Sequence, residues 1–511
     1  MGLWDYTIYD VICRNAAIFP EKEGIVFGDR RLTYRKFKEK CDQAAAGLRH
    51  LGISQGDRIA VVSYNCDDFM ILYGAAAKIG AIILPVNWRF QRDELEYVLN
   101  DCTPKLCFVG SDFCQTLAEV RGKVMSVELF FTLGGGETRE GFYPFDSIYK
   151  NEEAVETPDI QVDSGFVIIH TAAVGGRPRG AVLSQRNIFS IGMSMMYSNN
   201  LSPSSCHLCI LPLFHIGGLA LTMATMQAGG KNVLVDRFNP ENTLRLIDSE
   251  KGTTFLHFAP ILKMLRDKYD ELGGVFNLSS LENVGGLDHP DNLKRFKEIA
   301  PQVNFLVGFG QTEALEVTGC RIDERPGSAG RPTHISKVVL FDDNDQEVPI
   351  GSLGEICVRG PAVFLGYWGR EDDNAYTFRN GWHHTGDMGR FDEDGYLWYA
   401  GRKPEKELIK PGGENVYPVE VEKVILRHGD VEEVVVIGVP DTEWGEAVQA
   451  ICVRKKGKTV DAAEIIKFVG SKIAGYKKPK HVLFVDSLPK TASGAIDRDK
   501  VKKEYARKLY F

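Results

Sequence analysis

The chain has 511 residues, 44% hydrophobic and 25% charged, an ordinary globular balance with room for two or three domains. Sixty-one basic against 69 acidic residues leave a net charge of −8 with no basic block, which argues against nucleic acid as a partner. The longest apolar runs, such as Ile79 to Val86, fall well short of the ~18 residues that a transmembrane segment needs.

Helix and strand alternate through the first half. Thr33 reads as an N-cap, and Phe37, Cys41, Ala45, Leu48 and Leu51 recur at helical spacing until Gly52. Gly56-Asp57 turns the chain into a β-branched run, Ile59 to Val62, and an apolar helix over Phe69 to Lys78 precedes a strand at Ala81 to Pro85. Further strands are expected at Leu106 to Val109, Val167 to Ile169, Cys209 to Leu211, Asn232 to Val235 and Phe305 to Val307. Strands separated by helices imply mostly parallel sheets covered on both faces. After about Gly327 the texture turns β-rich, with strands at Glu355 to Val358 and at Tyr396 to Tyr399, the latter closing a hairpin over Asp394-Gly395. A charged, glycine-punctuated loop, Lys403 to Asn415, then leads into a compact α+β unit. Its expected parts are a helix near Pro418 to Leu426, strands at Val434 to Val439 and Ala447 to Val453, a helix over Ala462 to Ile473 and a strand at Val482 to Val485. The expected fold class is α/β, with a large N-terminal domain (1–402) of mostly parallel sheets flanked by helices plus a β-rich subdomain. A linking loop (403–415) and a small C-terminal α+β domain (416–511) complete it, the two domains joining near Lys406.

The termini carry no readable address: Asp5 and Asp10 stand where a signal peptide wants lysines and an apolar core, and Tyr6 where myristoylation wants Ser or Thr. Eleven cysteines, an odd number, are scattered along the chain, and Cys206-His207-Leu208-Cys209 has no second pair at metal spacing. Buried thiols in or beside a strand are therefore expected rather than a metal or redox centre, and the reducing cytoplasm is the default location.

Four segments could carry chemistry. His170 to Gly180 reads His-Thr-Ala-Ala-Val-Gly-Gly-Arg-Pro-Arg-Gly directly after an expected strand. Beyond Thr171, backbone N–H groups at Gly175 and Gly176 could approach a polyphosphate that Arg177 and Arg179 would neutralise; a tight turn with incidental arginines is the plain alternative. Phe309-Gly310-Gln311-Thr312-Glu313 follows another strand and offers a hydroxyl, a carboxylate for Mg²⁺ and glycines flat enough for a purine. Asp387, after Gly386, is a short acid that could grip ribose hydroxyls, and Arg402, after Gly401, adds a cation to the same nucleotide. Each alone is more often a turn; their joint occurrence in this order is hard to read as turns.

With these segments the chain resembles the acyl-adenylate-forming enzymes, and among them the AMP-forming fatty-acid and carboxylic-acid CoA synthetases, over essentially its whole length. The resemblance includes Pro212-Leu213-Phe214-His215, Pro326-Gly327-Ser328, Gly330-Arg331-Pro332, Thr385-Gly386-Asp387, Gly412 to Pro418 and Leu488-Pro489-Lys490-Thr491. It implies a ligase using ATP, Mg²⁺ and coenzyme A on a small carboxylic acid: acyl-AMP and pyrophosphate form first, and CoA sulfur then displaces AMP. Thr312 would touch the α-phosphate, Glu313 would hold Mg²⁺, and Asp387 and Arg402 would fix the ribose. His215 would stand between the carboxylate and the thiol path as a gate, with a satisfied, partly buried histidine as the bland reading. Gly285 and Gly286 would line adenine and acyl pocket, and Ile216, Gly217, Gly308 and Gly310 would line the acyl pocket further. Those glycines would leave room for a bulky or ring-bearing acid. Lys403 to Asn415 would be the hinge about which a mobile small domain swings, with Lys406 at the hinge position, although Arg402 to Lys406 runs about two residues long for the pattern. Gly412, Gly413 and Glu414 would reach the pantetheine tunnel. The acid stays unassigned and a homodimer stays open.

Two departures stand out. The phosphate loop reads Thr171-Ala172-Ala173-Val174-Gly175-Gly176, without the family's hydroxyls, and Arg179 replaces a lysine, so arginine charge would do more of the phosphate holding. In Lys490-Thr491-Ala492-Ser493-Gly494-Ala495, the residue after the glycine should be the adenylation lysine and is Ala495; Lys490 and Lys500 are out of register. An isolated Lys→Ala change in an otherwise matching segment reads as an engineered chain meant to hold the acyl-adenylate; a natural enzyme or pseudoenzyme lacking that lysine is the other explanation. Rival functions are a catalytically silent acyl-AMP or nucleotide-binding protein, and an adenylating enzyme that hands the acyl group to a carrier-protein thiol or oxidises it as luciferases do.

Overall fold

The computed structural model describes residues 5–135, 139–150, 158–171, 177–403, 408–491 and 496–506. The chain forms two compact units. The first holds Met1–Trp88, Val98–His170 and Gly180–Gly401, and the second Arg89–Tyr97, Thr171–Arg179 and Arg402–Phe511.

Two large sheets dominate the first unit. One has nine strands, in the order Arg331–Pro332, Thr318–Arg321, Asn304–Phe309, Asn283–Leu287, Thr254–Phe258, Cys206–Cys209, Lys231–Leu234, Glu23–Phe27 and Arg30–Thr33. Its interior pairs are parallel, and antiparallel pairs finish both ends. The other has eight strands: Gly366–Tyr367, Arg179–Ser184, Gly165–Thr171, Ile82–Pro85, Arg58–Val62, Leu106–Gly110, Leu129–Leu133 and Tyr143–Pro144. A four-stranded antiparallel sheet of Lys337–Phe341, Gly354–Arg359, His383–Phe391 and Leu397–Arg402 supplies the β-rich part. The architecture is the mixed α/β one expected from the sequence.

Local signals explain the helices around these sheets. The Thr33 hydroxyl accepts the Lys36 N–H at 3.2 Å and starts the helix Tyr34–His50, whose apolar positions Phe37, Cys41, Ala45 and Leu48 are buried. Asp67–Ile79 and Ile216–Gln227 are buried on every side, as helices without a polar stripe should be. Both belong to one core, in which Leu72 and Tyr73 join Leu219 and Met223. Among the described residues, no helix is long and apolar enough to cross a membrane.

Two expected elements fall elsewhere. The strand expected at Cys209 to Leu211 is Cys206–Cys209, because its register follows Lys231–Leu234 alongside it, while the chain beyond Cys209 already leads toward the next helix. Cys206 and Cys209 thus lie three apart on one strand, on opposite faces, and cannot chelate one ion. Burial pushes their thiols up to about 11 and about 12. None of the eleven cysteines forms a disulfide. The helix expected to reach Ile473 stops at Gly470, where Ser471 turns back and its hydroxyl donates to the Phe468 carbonyl at 2.7 Å.

In the second unit, Val431–Asp441 and Gly445–Arg454 pair antiparallel, and His481–Phe484 joins parallel to the latter. Val431–Asp441 is an edge strand, yet at Val436 its free side is taken: the N–H donates to Glu422 Oε1 at 2.8 Å and the carbonyl accepts from Arg498 Nη2 at 2.9 Å. Glu422 and Arg498 themselves pair at 2.8 Å. Deeper in this unit, Lys477 Nζ donates to Glu94 Oε1 at 2.7 Å and Glu420 Oε1 at 2.6 Å, and the Ala474 N–H donates to Glu94 Oε2 at 2.8 Å. All three charged side chains are buried. Burial opposes the Lys477 charge, but Tyr476, Glu420 and Glu94 around it hold the ammonium above its ordinary range. Burial raises the Glu94 carboxyl in spite of Lys477.

Candidate active site

The strand Asn304–Phe309 runs into a closed loop in which Gln311 and Ala314 exchange backbone hydrogen bonds at 2.8 and 3.2 Å. This loop carries Gln311, Thr312 and Glu313. Gln311 reaches across to the strand His383–Phe391, its Nε2 donating to the Thr385 carbonyl at 3.1 Å and to Asp387 Oδ2. Asp387 is buried. Its other oxygen, Oδ1, accepts the Tyr399 hydroxyl at 2.9 Å, and the Tyr399 ring lies nearly parallel to Phe309, with centroids 6.0 Å apart and 29° between planes.

The backbone under Asp387 is held from below. Gly386 sits at φ 72°, the left-handed region that favours glycine, and its N–H donates to Glu355 Oε1 at 2.8 Å. Thr385 Oγ1 donates to the Ile356 carbonyl at 2.7 Å and accepts the Asp387 N–H at 3.1 Å. Glu355 is fixed in turn by Arg379 and His384, each at 3.2 Å. The buried group Glu355, Cys357 and His384 has metal-ligand composition, as does Asp101, Cys102 and His170. In each an arginine already pairs with the acid, Arg379 with Glu355 and Arg370 with Asp101, which reads as a structural ion pair.

Glu313 is buried, its carbonyl accepts the Phe364 N–H at 2.9 Å, and its Oε1 accepts the Tyr367 hydroxyl at 2.9 Å. A carboxylate oxygen is the ligand type that a hard cation such as Mg²⁺ takes. Thr312 beside it is partly exposed.

His215 is the N-cap of Ile216–Gln227. Its Nδ1 accepts the Gly217 N–H at 3.2 Å, which puts the proton of the neutral ring on Nε2, and its ring meets Phe258 edge-on at 6.2 Å. Gly285 and Gly286 lie on Asn283–Leu287, one strand over from Phe258. Gly286 has φ 143°, and a Cβ there would collide with the His257 carbonyl; a Cβ on Gly308 would strike the Thr318 carbonyl. One on Gly285 would lie 2.6 Å from Leu256 Cδ2, and one on Gly310 3.0 Å from Leu315 Cδ1. At these glycines the direction of a side chain is taken by the chain's own backbone or side chains.

Thr171 ends the strand Gly165–Thr171 and is buried, and Arg179 begins Arg179–Ser184. Arg177, in the second unit, stands over the Tyr97 ring at 5.7 Å. Arg402 ends Leu397–Arg402. Gly412 and Gly413 form a short turn in the second unit, and Glu414 pairs with Arg89 at 2.7 Å. Gly175, Gly176, Lys406 and Ala495 lie outside the described residues.

Sequence reasoning missed Tyr367, Tyr399, Glu355 and Glu316. The first three act on Glu313 and the Asp387 turn through hydrogen bonds that no local motif announces. Glu316 follows the Gln311–Ala314 loop at φ 58°, a conformation held by Thr333 and Ser336 hydroxyls on its carbonyl at 2.5 and 3.1 Å. Its Oε2 accepts Ser194 and Ser198 hydroxyls at 3.2 and 3.3 Å, and burial pushes its carboxyl up to about 7 against their pull. Between pH about 4.5 and 7 the folded chain therefore keeps a proton that the unfolded chain releases, and stability falls as pH rises through that window. Glu316→Gln is expected to flatten this slope and to stabilise the protein at pH 8 by on the order of 1–3 kcal/mol. Urea unfolding at pH 5 and pH 8 checks it; an unchanged slope would refute the assignment.

Residues 12–368 match the AMP-binding enzyme family and residues 420–495 its C-terminal domain. The chain is 33% identical to an indoleacetate–CoA ligase of Aromatoleum aromaticum, over 98% of each chain. It is 32% identical to a long-chain-fatty-acid–CoA ligase of Bacillus subtilis, over 98% of this chain and 94% of that one. A double mutant of o-succinylbenzoate CoA synthetase from Bacillus subtilis, solved with a product analogue, superposes with a TM-score of 0.85 at 25% identity, covering 97% of this chain and 98% of its own. The chain belongs to the AMP-binding enzyme family and, within it, to the acyl-CoA synthetase superfamily.

Proposed function

We propose that the protein is a carboxylate–CoA ligase that joins an acid to AMP with release of pyrophosphate and then to CoA with release of AMP, and that Ala495 impairs the first step. The observation that carries this reading is the bond from Gln311 to Asp387, which joins the Phe309–Glu313 segment to Asp387 within one unit. A carboxylate oxygen attacks the α-phosphorus as the bond to pyrophosphate breaks; the CoA sulfur then attacks the acyl carbon and AMP leaves. Thr312 binds the α-phosphate by its hydroxyl, Asp387 accepts the ribose hydroxyls with Arg402 fixing the same sugar, and Phe309 with Gly310 flanks the purine. Glu313 would hold Mg²⁺, which would supply charge to offset the phosphates. His215 gates the passage between acid and thiol.

The two half-reactions need different groups over one site, so residues 403–415 serve as the hinge, Lys406 as its pivot, and Gly412, Gly413 and Glu414 as the CoA-facing segment of a mobile domain at 416–511. Eleven cysteines without a disulfide suit a reducing cytoplasm. Indoleacetate and long-chain fatty acids, the acids in the relatives' names, bracket the panel from which the substrate is to be sought. The test supplies preformed acyl-AMP. Saturable, CoA-dependent release of AMP is expected; release driven only by a carrier-protein thiol, or none at all, would overturn the assignment.

A further inference from the structure

We infer that Glu316 sets the class of acid this chain takes: its carboxylate receives a hydrogen-bond donor, an N–H or O–H group, that the substrate carries on the end away from its own carboxylate. The inference rests on the proposed ligase activity, with Gly310 lining the acyl pocket, and names a substrate class for it. Three parts of the first unit converge on Glu316. Its backbone abuts Gly310, where a Cβ would stand 3.3 Å from the Glu316 nitrogen and 3.0 Å from Leu315 Cδ1. Leu315 and Leu256 both pack against the core that holds Ile216. The helix Gln185–Ser198 brings Ser194 and Ser198 to the carboxylate, and just past its end the Asn199 carbonyl accepts Asn283 Nδ2 at 2.8 Å, which ties it to the strand of Gly285. Apolar walls with a single polar group are the usual makeup of a small-molecule pocket.

An acid on an open surface keeps its water and its ordinary pKa, and one sealed in a core keeps no surface. Glu316 does neither. It retains accessible surface and Ser198 beside it is exposed, yet burial pushes its carboxyl up to about 7, which places the pair on the wall of a deep cleft. The protein serves this carboxylate on one oxygen only. Ser194 and Ser198 both donate to Oε2, and the single proton of Ser198 is shared with the Ser194 carbonyl at 3.0 Å. Among the described residues no cation pairs with Glu316 and no donor meets Oε1. Such an acid costs stability, and its backbone at φ 58° costs more, so the folded chain gains nothing from it that an amide would not supply. A donor on the substrate, bonded to Oε1, supplies the missing half.

Acylsulfamoyl adenosines, stable analogues of an acyl-AMP, test the inference by calorimetry on the full chain without turnover. Their acyl groups are phenylacetyl and phenylpropanoyl, each bearing a methyl, a hydroxyl or an amino group at the meta or para position of the ring. A methyl group resembles the other two in size and offers no donor, so the ratio of affinities isolates the bond to Glu316. At the position that reaches Oε1, the hydroxyl or amino ligand is expected to bind about 10- to 100-fold tighter than its methyl counterpart. Glu316→Met, similar in length but without an acceptor, is expected to erase that preference. Glu316→Gln keeps the shape and one oxygen and is expected to cut it about 3- to 10-fold; it decides alone should the methionine variant not fold. Absence of any preference, or a preference that both variants leave unchanged, would overturn the role of Glu316 while the ligase reading stands. Failure of every analogue to bind would overturn the ligase reading and the inference with it.

Discussion

Replacing Ala495 with lysine is expected to raise acid-dependent ATP–pyrophosphate exchange by about 10²–10³-fold. The first half-reaction presses a carboxylate against an α-phosphate, two anions, and the position after Gly494 is where the family sets the cation that offsets them. A methyl group supplies no charge, and Lys490 is already spent on Glu433 at 2.6 Å. Exchange measured across a panel of acids, on the present chain and on Ala495→Lys, decides the matter. Strong exchange only with the lysine supports the ligase and makes Ala495 its disabling residue. Absence of exchange in both, with AMP still bound, would favour a silent nucleotide-binding protein and turn suspicion on the hydroxyl-poor segment from Ala172 to Gly176. Transfer from preformed acyl-AMP to CoA should differ far less between the two chains.

Lys477→Ala is expected to destabilise the second unit by about 3–5 kcal/mol, the usual cost of breaking a buried ion group by removing one partner. The cause is less the lost attraction than the two carboxylates left behind: Glu94 and Glu420 would face each other in a dry interior. Protonation can relieve that repulsion, so the loss should be smaller at pH 5 than at pH 8. Lys477→Met combined with Glu94→Gln and Glu420→Gln should recover much of the stability. Urea unfolding, followed by a probe in the second unit, measures all three; a loss below about 1 kcal/mol for Lys477→Ala would show that water reaches the acids.

The sequence made the long, strongly patterned elements legible. Thr33 marked its helix because an N-cap is local chemistry, and the β-branched run at Ile59 marked its strand because burial on both faces leaves an apolar stretch. Elements defined by partners were not legible. Gly366–Tyr367 is a strand only because Ala181 and Val182 lie beside it, and Cys206–Cys209 starts three residues and ends two residues before the expected strand because its pairing, not its composition, sets its limits. The site divides along the same line. Thr312, Glu313 and Asp387 stand in recognisable segments, whereas the residues that hold them do not: Tyr367 is 54 positions from Glu313, and Glu355 is 31 from Gly386. At Gly308 the fold itself calls for glycine, since a Cβ would strike the Thr318 carbonyl of the neighbouring strand, a demand that no local motif states.

The Glu422–Arg498 pair on Val436 bears on how the protein behaves in a crowded cell. A long edge strand is an open invitation to a strand from another chain, and fibres grow by accepting it. Here the middle of Val431–Asp441 answers with its own side chains, one acid on the N–H and one guanidinium on the carbonyl, locked to each other. An incoming strand would have to strip both and leave a charge without its partner. The three-stranded sheet thus carries its own stopper, and loss of Arg498 is the change most apt to turn the protein toward self-association.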